Sequence, residues 1–160
     1  MAAVDYFLKI DGIEGESTDA KHAGWLDVDS WSWGENQPLQ PATGSGAGAG
    51  KVHFQDFQFT SRVSKASPKL FLACASGQHH KEARLVGRKA GKDLQEFLTW
   101  TFSDVLVSSY QTGGTEQALP MDSVSLNFSK VSVAYKAQKA DGSLDTAVTA
   151  GWDIKTNKKV

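Results

Sequence analysis

The stretch QEFLTWTFSDVLVSSY, Gln95 to Tyr110, carries apolar side chains at the even positions Leu98, Trp100 and Phe102, then at the odd positions Val105 and Val107. Successive residues of a β-strand point to opposite faces, so a flat strand cannot bury both sets on one side. Three other stretches switch in the same way. VHFQDFQF passes from Val52 and Phe54 to Phe57 and Phe59, and WLDVDSWSW from Leu26 and Val28 to Trp31 and Trp33. SVSLNFSKVSVAY passes from Val124, Leu126 and Phe128 to Val131, Val133 and Tyr135. Two explanations are open. Either a bulge re-aims each strand midway, or the second half of each strand buries its other face under a second subunit. A bulged strand bends, which lets one sheet curl into a barrel or turn a corner between two sheets. Both explanations suit a curled, self-associating β-barrel.

The remaining segments fit a mainly β chain. VDYFLKI sets Val4, Tyr6, Leu8 and Ile10 on one face, and KEARLVGRK and TAGWDIK read as further strands. Gly12 to Gly24 reads as a polar connection. KAGKD, TGGTEQ and KADGSLD carry turn signals. One helix is expected in SPKLFLACASG: Ser67 suits the N-cap, Pro68 the first helical position and Gly77 the left-handed C-terminal position. Leu70, Phe71 and Cys74 would share its apolar face. With 160 residues, no internal repeat and no break in composition, the expectation is a single domain over 1–160, with a flexible loop at 36–51.

That loop holds PATGSGAGAGKV, which raises the question of a phosphate site. A P-loop needs Gly, four residues, Gly-Lys, then Ser or Thr. Counting back from Gly50-Lys51, the first glycine position is Ser45, and the hydroxyl position holds Val52. The sequence after the glycines reads as strand, with Lys51 its first residue, where a phosphate cradle needs a helix N-terminus. No cofactor is expected.

Other candidate chemistry reads as structural. Cys74 sits near the C-terminal end of a short helix, which disfavours a thiolate, so it is expected in the core. His79 and His80 point apart and are expected in a solvated loop, with no metal. Asp27 and Asp29 share a strand face, but neither has an evident environment to raise its pKa for general acid work. Trp31, Trp33 and Trp100 fall on core faces, whereas Trp25 and Trp152 are open. No enzyme constellation emerges.

Seventeen basic and 18 acidic residues give a net charge of −1, without the basic excess of a nucleic-acid binder. The single cysteine excludes an internal disulfide. No apolar run reaches the ~18 residues of a membrane span, and MAAVDYFLKIDG lacks the basic start and long apolar core of a Sec signal peptide.

VDYFLKIDGIEGES, HAGWLDVDSWSWG, GAGKVHFQDFQFT, SPKLFLACASGQHHKEARLVGRKAG, DVLVSSYQTGG, VSLNFSKVSVAYKAQKADGS and GWDIK together resemble the haemolysin-coregulated protein (Hcp) family of the bacterial type VI secretion system. The resemblance runs from Val4 to Lys155. It implies a curled two-sheet β-barrel with one flanking helix, similar to phage tail-tube proteins. It also implies homohexameric rings that stack into an inner tube, a contractile sheath around the tube, a spike at its tip and small effectors carried in its channel. Export by that machine fits the missing signal peptide, with assembly in the cytoplasm before secretion. On this reading Ser32, between Trp31 and Trp33, is expected to line the channel. Gly44, Ser45, Gly46, Ala47, Gly48, Ala49 and Gly50 are expected to form a ring-stacking loop. A monomeric carbohydrate-binding β-module using Trp25 and Trp152 is the alternative.

Overall fold

The computed structural model describes residues 4–38, 51–89 and 94–160. Its elements in chain order are β1 (Val4–Ile10), β2 (Leu26–Ser32), β3 (Glu35–Asn36), β4 (His53–Phe54), β5 (Phe57–Arg62), α1 (Ser67–Ser76), β6 (His79–Lys89), β7 (Glu96–Thr115), β8 (Ala118–Asn127), β9 (Lys130–Tyr135), β10 (Val148–Asp153) and β11 (Lys158–Lys159). Six strands close an antiparallel barrel in the order β7–β6–β1–β2–β5–β8–β7. β9, β10 and β11 extend the sheet outward from β7, and β3 pairs with β4 in a separate ribbon. Closure leaves the barrel strands few exposed edges. Phe57, Phe59, Phe102, Leu8, Leu85, Leu126, Val105 and Val124 fill the interior.

Local geometry accounts for the phase switches. On β2, Val28 pairs with Ser61 but Ser30 pairs with Thr60, so Asp29 is an extra residue. It moves the buried set from Leu26 and Val28 to the phase of Trp31. On β7 the switch falls at Asp104, which adopts the left-handed φ of 55°. Before it, Leu98 to Ser103 pair with β9; beyond it, Leu106 onward pairs with β8. Ser103 opposes Lys130 and Leu106 opposes Asn127, so the offset survives the kink. β7 with β8 and β9 is therefore one long hairpin, folded across itself so that both halves face one core. Its turn lies at Glu116–Gln117, because Gly113 and Gly114 remain in the strand.

A branched side chain fits badly at a left-handed residue, where Cβ meets the following carbonyl. Asp104→Val is expected to melt about 5 °C below Asp104→Gly. Equal melting temperatures of the two variants would show that the kink stores no backbone preference.

α1 starts one residue earlier than a Ser67 cap requires. Ala66 occupies the cap, with helical φ and no side-chain cap bond. The Ser67 hydroxyl instead donates to the Asp122 carboxylate and accepts from the Ser64 N–H at 3.0 Å. Asp122 is fully buried and also accepts from the Tyr110 hydroxyl at 2.9 Å. A buried carboxylate must be hydrogen-bonded, and this demand outweighs the capping preference. Gly77 is left-handed as expected, at φ 67°. The buried face of α1 is Ser67, Leu70 and Ala73, whereas Phe71 points to solvent.

Gly12 to Gly24 is more than a polar connection. Ile13, Ser17 and His22 are buried, and Gly15 and Ser17 N–H groups donate to Gly24 and Trp25 carbonyls at 2.8 and 3.0 Å. The segment lies over the outer side of Phe7. The His22 ring stacks on Phe7 at 4.3 Å, and the Arg88 guanidinium lies 4.9 Å from the same ring. Arg88 donates to Asp19 at 2.7 Å and Asp5 at 3.1 Å. His22 reaches Asp19 through Nδ1 and Glu96 through Nε2, both at 2.7 Å. Both contacts are hydrogen bonds when the ring carries both protons, because a carboxylate only accepts.

Candidate functional site

The outward side of the β2–β5–β8–β7 sheet carries an unusual composition. Cross-strand register places Ser32, Gln58, Ser125 and Ser109 in one row. The next row on the same face is Ser30, Thr60, Ser123 and Gln111. The row between them, Trp31, Phe59, Val124 and Tyr110, turns to the other side and packs inward. All eight outward residues bear a hydroxyl or an amide, and none carries charge or a large apolar surface. Ser30 and Thr60 share a hydrogen bond of 2.6 Å across the strands. At one end of the face lies Arg62, opposite Met121. At the other, Asp56, just before β5, accepts from Ser108 at 2.6 Å and Asn127 Nδ2 at 3.0 Å, tying β7 and β8 to the connection that leads into β5. The outward side of β1 and β6 differs sharply: Asp5, Lys9, Glu82, Arg84 and Arg88 alternate along it.

Ser32 is exposed on the uncharged face, between the inward-packed Trp31 and Trp33. Its seven companions escaped the sequence reading, which followed the apolar half of each alternation. The signal lay in the polar half, where SWS, FQFTS and SVSLN carry neutral residues at every second position. Gly44, Ser45, Gly46, Ala47, Gly48, Ala49 and Gly50 lie outside the described residues. The flanks of the glycine segment pair as β3 with β4, Glu35 opposite Phe54 and Asn36 opposite His53. The strand after the glycines therefore begins at His53 rather than Lys51, and Asn36 belongs to a strand rather than to the loop.

The other candidates separate. His79 and His80 open β6 instead of lying in a loop. His80 is buried and its Nδ1–H donates to the Asp11 carbonyl at 2.8 Å, while the exposed His79 faces Asp104 at 3.0 Å. Among the described residues no group of three His, Cys, Asp or Glu side chains is placed to hold a metal ion. Cys74 is half-buried against the core. Asp27 and Asp29 are not a matched pair, because Asp29 is the bulge. Asp27 does have an environment that raises its pKa: burial is the larger cause, and the negative charges of Asp19 and Asp5 add to it. Trp25 packs edge-on against His22 at 4.8 Å. Trp33, Trp100 and Trp152 converge on a cleft of about 450 Å³ between the β3–β4 ribbon and β9–β10.

A closed six-strand barrel with one helix against it agrees with the fold that the resemblance implies. The family model described as "Type VI secretion system effector, Hcp" matches residues 7–135. The chain belongs to the Hcp family. Hcp1 of Pseudomonas aeruginosa is 48% identical over 159 residues, covering 97% of this chain and 98% of that protein. Hcp1 from Salmonella typhimurium superposes with a TM-score of 0.83 at 39% identity, covering 99% of this chain and 100% of that one. A structure described as a type six secretion system protein gives a TM-score of 0.90 at 30% identity, with the same coverage. The Hcp fold and the tube-forming role in type VI secretion therefore apply to this chain.

Proposed function

We propose that this Hcp chain closes into six-membered rings that stack into the secretion tube, with the neutral face of β2, β5, β8 and β7 toward the channel. The observation that supports this reading is the eight-residue hydroxyl and amide face around Ser32. A wall that holds cargo and then lets it go is best served by many weak, neutral hydrogen bonds. Buried charge pairs would bind too unevenly, and large apolar patches too strongly. Ser32 is the cargo-contacting position, and small effectors are the cargo. The contractile sheath lies around the stacked rings and the spike at one end. The tube assembles in the cytoplasm and is expelled by contraction of the sheath. The segment from Gly44 to Gly50 bridges one ring to the next, and its function requires no catalysis.

Native mass spectrometry of the purified chain is expected to give six times 17.3 kDa. A mass of 17.3 kDa would favour a monomeric carbohydrate-binding module instead. The placement of Ser32 is tested with Ser32→Cys in a Cys74→Ser background, labelled with maleimide-gold and imaged by electron microscopy. Gold is expected in the ring centre, and gold on the rim would overturn the assignment. Deleting Gly44 to Ala49 is expected to leave rings but abolish tubes; tubes of normal length would sink the stacking role.

A further inference from the structure

We propose that the exposed face of α1 on one copy docks in the tryptophan cleft of the next copy. The inference rests on the ring reading above and names the two surfaces that meet.

The cleft is built by Trp33, Trp100, Trp152, Phe54 and Gly151, with Glu35 at its rim. The Nε1–H groups of all three tryptophans are buried without a hydrogen-bond acceptor among the described residues. These donors are turned into the protein, and what the single chain leaves open is the apolar wall of the cleft. The adjoining start of β10 is open too. β11 pairs only with Trp152 and Asp153, and Val148 is 72% exposed on the open edge. An open edge bearing an exposed valine is a surface that native proteins usually cover.

α1 presents the opposite shape. Phe71 and Leu72 are each 61% exposed on a convex helix. The two surfaces cannot meet within one molecule. Phe71 touches Tyr110 at 6.4 Å, toward the far end of β7, whereas Trp100 lies in the first half of that strand. Tyr110 lies beyond the kink at Asp104 and Trp100 before it, on halves of β7 that pair with β8 and β9 respectively. Two different patches that fit each other make a head-to-tail contact, which closes into a ring when the rotation allows.

Charge fits as well. Glu35 is the one charged residue among the described residues lining the cleft, and Lys69 is the one charged residue in α1. Both are exposed, and neither has an ion pair or hydrogen bond among the described residues. Lys69 lies three residues before Leu72, on the same helical stripe. Docking Leu72 and Phe71 onto the tryptophans brings Lys69 to Glu35.

The test is a charge swap read by native mass spectrometry. Leu72→Glu, Lys69→Glu and Glu35→Lys change exposed residues, so the barrel is expected to fold in each. Each is expected to weaken ring assembly roughly tenfold or more and to release monomer on dilution. Lys69→Glu combined with Glu35→Lys in one chain is expected to restore the ring, because every contact then regains an opposite pair. A second measurement uses Leu72→Cys with Ala150→Cys, since Ala150 also lines the cleft, in a Cys74→Ser background. Oxidation is expected to give a ladder of covalent oligomers on a denaturing gel, absent from either single cysteine. Rings unchanged in Leu72→Glu and Glu35→Lys, no rescue by the swap, or no ladder would each overturn the docking, while wild-type rings kept the tube reading intact. A monomeric wild-type chain would overturn both.

Discussion

Phe102→Ala is expected to destabilise the barrel by about 3–5 kcal/mol, read as a lower midpoint in guanidinium unfolding followed by tryptophan fluorescence. Phe102 is fully buried, with Phe57 at 4.8 Å and Phe128 at 4.7 Å between ring centroids, and Trp100 stacks at 6.4 Å. It is the last inward residue of β7 before the kink at Asp104, and Val105 is the first after it. The two halves of the strand meet the core there, so neighbours held by two sheets cannot collapse freely into the space left by the ring. A cavity that persists costs more than the transfer of the lost atoms alone. Phe97→Ala is the control, because Phe97 is on the outward side of the same strand, where Tyr135 and Lys89 approach it. A loss for Phe102→Ala no larger than that of the control would show that the kink region repacks.

Arg88→Ala is expected to cost about 3–5 kcal/mol and to flatten the loss of stability in acid. Arg88 is 6% exposed and bridges Asp19 to Asp5 over the Phe7 ring. Removing it takes the guanidinium from two carboxylates, leaving Asp19 with His22 and the Lys21 N–H alone, and uncovers Phe7. The acid dependence follows from Asp19. Hydrogen bonds from Arg88 and then His22 lower its pKa from 3.8 to about 2. A carboxyl lowered by folding stabilises the native state above its unfolded pKa, and loses that contribution as pH falls toward the folded value. The contribution is on the order of 1–2 kcal/mol, allowing for solvent around Asp19, and it disappears between about pH 4 and pH 2. Unfolding midpoints at pH 7, 4 and 2.5 in wild type and Arg88→Ala measure it. An identical acid slope in both would show that Asp19 gains nothing from the guanidinium.

The barrel was legible in the sequence because of its irregularities. The switch from Leu26 and Val28 to Trp31 left a bulge or a second buried face open, and Asp29 is a bulge; the switch from Phe102 to Val105 left the same choice, and Asp104 bends the strand. Polar pairing was not legible. Ser67 looked like a cap because local preference favours one, but its bond goes to Asp122, 55 residues away in the chain. His22 looked like a loop residue because nothing in its neighbourhood predicts Glu96, 74 residues on. Ser32 was found through its two flanking tryptophans. Gln58, Thr60, Ser123 and Gln111 were not, because only long-range register brings them beside it. Phe71 was placed on the wrong side of α1, since helical spacing alone cannot tell the face that meets the barrel from a face left bare.

The two rows from Ser32 to Ser109 and from Ser30 to Gln111 contain no group that gains or loses a proton at any pH the barrel survives. Acidification therefore alters the strap over Phe7, where Asp19 titrates, and leaves the character of this face untouched. Whatever rests against it in one compartment meets the same surface in the next.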